Sequence, residues 1–327
     1  MPLASIGDSF TAFFDAVGDF FGSLAAIQWL SLLIALVAFG IYLSLRARAS
    51  FHILRAAYPE ERFQFRYIWG AYIAAYGFNS VVPARGGDVV RLFLTKSSVP
   101  NSSYPAVASS FAVELVYDLC IAIPILAFAF TQGAFPKPPD FSSLPAFDLA
   151  FFAQHPRFAL FTLTVLGIAV LAGFALLSAR VRAFWDRVRQ GLTILFDRRR
   201  YLREVFAVQF AGWLFRFTAF FFMLEAFNVG GSVRNVLLVL GVNAVAALVP
   251  FTPGGAGVQQ ALLVKVFAGT ATGATVAAYS VGQQIAIAAF TFAMGFAALV
   301  FIFKIRSFKE AIAQGRTARA EEAPAKA

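Results

Sequence analysis

The sequence has one cysteine, Cys120, and two histidines, His52 and His155, in 327 residues. A lone cysteine inside an apolar run excludes a disulfide framework and a cysteine metal cluster. The histidines lie far apart in stretches read as loops, so they form no metal-binding pair, and each is expected to be a solvated loop residue. Charge is scarce too: 13% of residues are Asp, Glu, Lys or Arg, where about 25% is usual for a soluble domain. No alternating strands of about ten residues occur, which excludes a transmembrane barrel. No Gly-Lys-Ser/Thr follows a glycine-rich loop, which excludes a nucleotide-binding phosphate loop. Neither metal nor cofactor is expected.

What is abundant is apolar surface. Hydrophobic residues make up 60% of the chain and the mean hydropathy is +0.74, more than a soluble protein of this size hides. Windows such as 28–45 and 158–178 reach membrane length with few charges. The chain is therefore read as an all-α polytopic membrane protein. Its net charge of +10 is assigned to a face rich in Lys and Arg near anionic lipid headgroups, not to nucleic acid. The first 26 residues contain Asp8, Asp15 and Asp19 but no Lys or Arg, unlike a cleavable signal peptide. Residues 1–26, with Phe10, Phe13, Phe14, Phe20 and Phe21, are expected to lie along the interface.

About five full spans are predicted, at roughly 27–45, 104–130, 157–178, 204–227 and 273–303, within a transmembrane domain covering 27–303. The loops sort by charge. Residues 46–66 and 179–203 and the tail 304–327 are rich in Arg and Lys, whereas 131–157 holds only Lys137 and Arg157. The positive-inside rule then puts the N-terminus outside and the C-terminus in the cytoplasm. That assignment fixes how the remaining segments run. The segment after Pro83 must return to the cytoplasmic side, so 66–100 reads as a re-entrant hairpin whose tip includes Pro83, Arg85, Gly86 and Gly87. Residues 234–268 form a second hairpin entered from the opposite face, with Pro250, Thr252, Pro253, Gly254, Gly255 and Gly257 at its tip. Both tips run Val-Pro, then a glycine pair, then a short helix, the pattern of an inverted repeat with broken helices, as in transporters.

The first tip carries charge at membrane depth. A glycine pair opening a helix exposes N–H groups at its positive end, and Arg85 and Arg91 offer forks that suit a phosphate. Asp88 reads either as part of this site or as the N-cap of a helix over 89–97. Arg91 and Lys96 read either as ligands or as side chains snorkelling to the cytoplasmic surface. Glu114, Tyr117 and Asp118 share one helical face. The two carboxylates there require cationic partners, with Arg85, Arg91 and Arg216 as candidates. They form either a structural salt bridge or a switchable pair. The second hairpin offers uncharged polar residues, among them Asn243, Gln259 and Gln260.

The residues Asn79, Pro83, Arg85, Gly87, Asp88, Arg91, Glu114 and Asp118 resemble the flippase-like membrane domain of lysylphosphatidylglycerol synthases. So do Val249-Pro250, Thr252-Pro253-Gly254-Gly255 and Gly257, the similarity extending over most of 27–303. The resemblance implies a lipid translocase that moves aminoacylated phosphatidylglycerol, or a related anionic or polyprenyl lipid, between leaflets of the bacterial inner membrane. Gln259 and Gln260 stand where a carboxylate is expected, which departs from a second charge relay. No cytoplasmic aminoacyl-transfer domain follows the last span, so lipid aminoacylation by this chain is not expected. Two rival readings are a membrane-embedded lipid-modifying enzyme and a non-transporting partner of a membrane glycosyl- or acyltransferase.

Overall fold

The computed structural model describes residues 22, 26–80, 86–132, 184–246 and 258–304. Inside a bilayer each backbone N–H and C=O must bond within the protein, which leaves a chain this apolar little choice but helices. Among the described residues all regular elements are helical. The chain is an all-α polytopic membrane protein. Four helices are long and apolar enough to cross a membrane: α1 (Trp29–Ala57), α4 (Tyr104–Thr131), α5 (Arg198–Ala226) and α8 (Gly273–Phe301). Shorter helices lie between them: α2 (Phe65–Asn79), α3 (Gly86–Ser98), α6 (Val233–Ala246) and α7 (Val258–Val266). The span expected at 157–178 lies outside the described residues, as do most of 1–26 and the tail beyond Lys304.

Helix α1 continues well past Leu45, which corrects the loop expected from residue 46. Nothing between Gly40 and Pro59 stops it, and Arg, Ala and Leu are good helix formers. Arg46 is consequently buried within the bundle. His52, expected to be solvated, is half-buried in α1 with Nδ1 3.5 Å from Glu204 Oε2. Helix α5 likewise begins earlier than residue 204 and includes a π-helical turn at Leu202–Phe206.

The packing repeats itself. Helix α1 lies against α5, α2 against α8, and α4 against α6; α2 also packs on α3, as α6 does on α7. Exchanging α1–α4 for α5–α8 in order maps this set onto itself. The cross-half pairs are antiparallel. Along α1 and α5, Gln28 meets Asn228, Phe39 meets Phe220, and Tyr42 meets Gly212. Along α2 and α8, Gly70 faces Phe303 and Gly77 faces Thr291. Gly241 of α6 faces Ala129 of α4. The two halves therefore run in opposite directions through the bundle, as the paired hairpin motifs predicted.

Charge follows the same geometry. One end of the bundle gathers Arg55, Arg66, Lys96, Arg189, Arg198 and Lys304. It is tied by Gln190 Nε2 donating to the Ala57 carbonyl at 3.0 Å and by Asn101 Nδ2 donating to Glu61 at 2.9 Å. The other end joins residue 28 to 228 and Arg234 to Gln132 Oε1 at 3.1 Å.

Lipid tails are as apolar as leucine, so helices associate through close van der Waals contact, which small residues permit. Helices α2 and α8 use this device. A Cβ on Gly77 would come within 2.6 Å of the Thr291 carbonyl oxygen, and one on Gly295 within 3.2 Å of Ala74 Cα. Backbone cannot give way as a side-chain tip can. Gly77→Val is expected to destabilise the protein by about 1–3 kcal/mol or more through overpacking, read as a lowered melting temperature in detergent. Gly273→Ala, with open space around it, should leave the melt unchanged; equal effects of the two would refute this role for Gly77.

Candidate functional site

The first half of the fold converges on four charged side chains. Arg46 descends from α1, Arg91 from α3, and Glu114 and Asp118 from adjacent turns of α4. Arg46 places a fork on Asp118, with Nη2 donating to Oδ2 at 2.8 Å, and its Nε donates to the Tyr72 hydroxyl of α2 at 2.8 Å. Its Nη2 also reaches Glu114 Oε2 at 3.4 Å. Arg91 forms an ion pair with Glu114 and donates from Nη2 to Ser50 Oγ at 2.8 Å. The Arg91 guanidinium lies between aromatic rings, 4.3 Å from the centroid of Tyr72 and 3.9 Å from that of Phe111. Two positive and two negative charges thus cancel inside the bundle. Arg46 and Glu114 are only 7% and 4% exposed, while the Asp118 side chain is 37% exposed. The group opens outward at Asp118.

The approach to the first tip is held by an amide. Asn79, the last residue of α2, accepts from the Gly87 N–H at 2.8 Å and donates to Asp88 Oδ1 at 2.9 Å. This bond from the neighbouring limb satisfies one of the orphan donors at the start of α3. Helix α3 begins at Gly86, so Asp88 sits inside its first turn and is not its N-cap, a correction to one of the two readings of that residue. Gly87 is required by close approach, since a Cβ there would collide with the Ala75 carbonyl and with Asn79.

The second half repeats this layout without charge. Gln259 Nε2 of α7 donates to Asn243 Oδ1 of α6 at 2.8 Å, joining the limbs as Asn79 does. Gln260 Nε2 donates to Gln284 Oε1 of α8 at 2.7 Å, tying α7 to α8 as Arg91 and Glu114 tie α3 to α4. The two glutamines that depart from a charge relay thus tie the second hairpin through neutral amides.

Of the sequence-predicted residues, the structure joins Asn79 to Gly87 and Asp88 beside Gly86 at the start of α3, and separately joins Arg91 to Glu114, which shares Arg46 with Asp118. Asn243 lies on the second hairpin. Pro83, Arg85, Pro250, Thr252, Pro253, Gly254, Gly255 and Gly257 lie outside the described residues. Arg91 does not snorkel to the surface. Arg216 does not join the carboxylates; it stands over aromatic rings, 4.9 Å from Trp213 and 5.5 Å from Tyr42. Sequence reasoning missed Arg46, Tyr72 and Ser50. The available signal was the absence of any helix stop after Leu45, which puts Arg46 inside a span. Among the described residues no group of three or more His, Cys, Asp or Glu could hold a metal ion.

A family profile described as lysylphosphatidylglycerol synthase TM region matches residues 9–312. The chain belongs to that family. Among curated proteins and among solved structures nothing matches it at a significant level. The match covers both halves of this lysylphosphatidylglycerol synthase transmembrane fold, so the charged first half and the neutral second half belong to one family domain.

Removing one member of the ionic group leaves an uncompensated buried charge. Arg91→Leu or Glu114→Leu should each cost about 3–5 kcal/mol, whereas the double variant recovers much of that loss. Unfolding of the purified chain in detergent measures all three. Strictly additive losses would mean that the pair is not coupled.

Proposed function

We propose that this protein is a lipid translocase or lipid-binding transporter of the bacterial cytoplasmic membrane. Its cargo is an anionic phospholipid of the aminoacyl-phosphatidylglycerol kind or a polyprenyl-phosphate lipid. The headgroup sits near mid-membrane between the hairpin tips while the acyl chains stay in the bilayer. The observation that carries this reading is the pair of oppositely directed helical hairpins, each joined limb to limb by a side-chain amide, in a chain of this family. Broken helices at membrane depth expose backbone N–H groups and a positive dipole end, which favour an acidic headgroup. The gathering of Arg and Lys at one end supports an orientation with that end in the cytoplasm, the N-terminus outside and the C-terminus inside.

A lipid-modifying enzyme is the weaker reading. General base chemistry needs a carboxylate or imidazole within reach of substrate, and Glu114 and Asp118 are both engaged by arginines. We read the chain as a carrier and not a catalyst. Its partner is a membrane lipid, without nucleic acid, and a membrane enzyme that makes or consumes that lipid is a further partner.

The test is leaflet exchange of fluorescent anionic phospholipid in liposomes holding the purified full chain. Wild type should exchange lipid well above protein-free vesicles, and Arg85→Ala and Asp88→Ala should slow exchange at least about tenfold while retaining a wild-type melt. Exchange no faster than in empty vesicles refutes the translocase. Exchange by both variants at the wild-type rate removes the role of the first tip.

A further inference from the structure

We propose that the face of α5 carrying Gln209, Trp213 and Arg216 is an oxyanion site for the phosphodiester of a membrane lipid. It deepens the reading of the chain as a lipid carrier, but it stands on a separate set of atoms.

The first ground is an imbalance of charge. Tyr42 of α1 and Gly212 of α5 face each other where the two helices cross, and a Cβ on Gly212 would lie 3.6 Å from Tyr42. Arg46 and Arg216 each sit one turn beyond that crossing on their own helix, so they are counterparts in the two halves. Arg46 is neutralised by Asp118 and Glu114. Among the described residues no carboxylate pairs with Arg216, and its Nε is buried without a hydrogen-bond partner. Arg216 is partly buried, and aromatic rings of Trp213, Tyr42 and Phe220 stand where a carboxylate would. A lipid phosphate supplies the negative charge that no described carboxylate supplies.

The second ground is a row of unanswered polar atoms. Gln209 is 1% exposed, yet both its Nε2 and Oε1 lack partners, as does Nε1 of Trp213. Buried polar groups are nearly always satisfied. Residues 209, 213 and 216 share one helical face. Helical side chains lean toward the N-terminus, and the Arg216 guanidinium does so, lying over Trp213. An amide N–H, an indole N–H and a guanidinium together suit an acceptor-rich anion. Gln209 Oε1 is left to accept from a headgroup hydroxyl or ammonium.

Access favours a lipid over a soluble ion. The neighbouring Phe210 and Leu214 of this membrane-spanning helix are exposed, so the site borders a surface that faces lipid. Arg46 and Arg91 do not compete for the phosphate, because their own carboxylates already occupy them.

The experiment measures binding to the full chain purified in detergent, by thermal shift and by tryptophan fluorescence. The probes are short-chain phosphatidylglycerol, diacylglycerol of equal chain length, and inorganic phosphate. Phosphatidylglycerol should bind, diacylglycerol should not, and Arg216→Gln and Gln209→Leu should weaken binding at least about tenfold. In the absence of lipid, Arg216→Gln should melt at or above wild type because it removes an uncompensated charge, the opposite of Arg91→Leu. Trp213→Phe should keep the thermal shift in part and lose most of the fluorescence response. Phosphatidylglycerol binding that is unchanged in Arg216→Gln overturns the site, and inorganic phosphate binding as tightly as phosphatidylglycerol overturns its assignment to a lipid. Arg216-dependent binding without leaflet exchange would support the site and count against transport alone.

Discussion

The structure depends on pairing two arginines with two carboxylates in an apolar bundle, Arg46 and Glu114 buried and Asp118 at the open edge. No single helix carries this balance. Arg46 belongs to α1, Arg91 to α3, Glu114 and Asp118 to α4, and the Tyr72 hydroxyl that completes the arrangement comes from α2. Each charge is tolerable only while the others are present, so the four helices of the first half hold a common register. An apolar interface allows neighbouring helices to slide or rotate at small cost. A fork on a carboxylate does not.

Around that fixed half, the second half provides the same architecture with softer chemistry. Asn79 and Asn243 hold the two hairpins in related ways, but amides replace ions where Gln260 meets Gln284. Association between the halves relies on shape, through small residues such as Gly77 and Gly295 on the α2–α8 contact and Gly212 at the α1–α5 crossing. Polar recognition is thus built on a frame whose helices are held by close fit and not by hydrophobic exclusion of water.

Much of this was legible in the sequence. Low charge and membrane-length apolar runs identified the class, and the sorting of Arg and Lys among loops forced two segments to turn back, which exposed the repeat. The share of a face by Glu114 and Asp118 followed from helical period alone. What could not be read was the partner of each charge. Position along the chain separates Arg46 from Asp118, and only the packing of α1 on α4 joins them. Helix ends were blurred for a related reason: arginines at the close of an apolar run look like a loop, but their long stems and paired heads let α1 continue to Ala57. The role of Gln259 and Gln260 was hidden because an amide pair leaves no charge pattern to notice.

The neutral pair in the second half has a mechanical meaning. An amide can trade its partner for water or a lipid hydroxyl with little change in energy, whereas separating Arg91 from Glu114 inside the bundle strands both ions. Of two hairpins built to one plan, the one tied by glutamines is held by bonds that exchange readily, and the one tied by ions by bonds that do not.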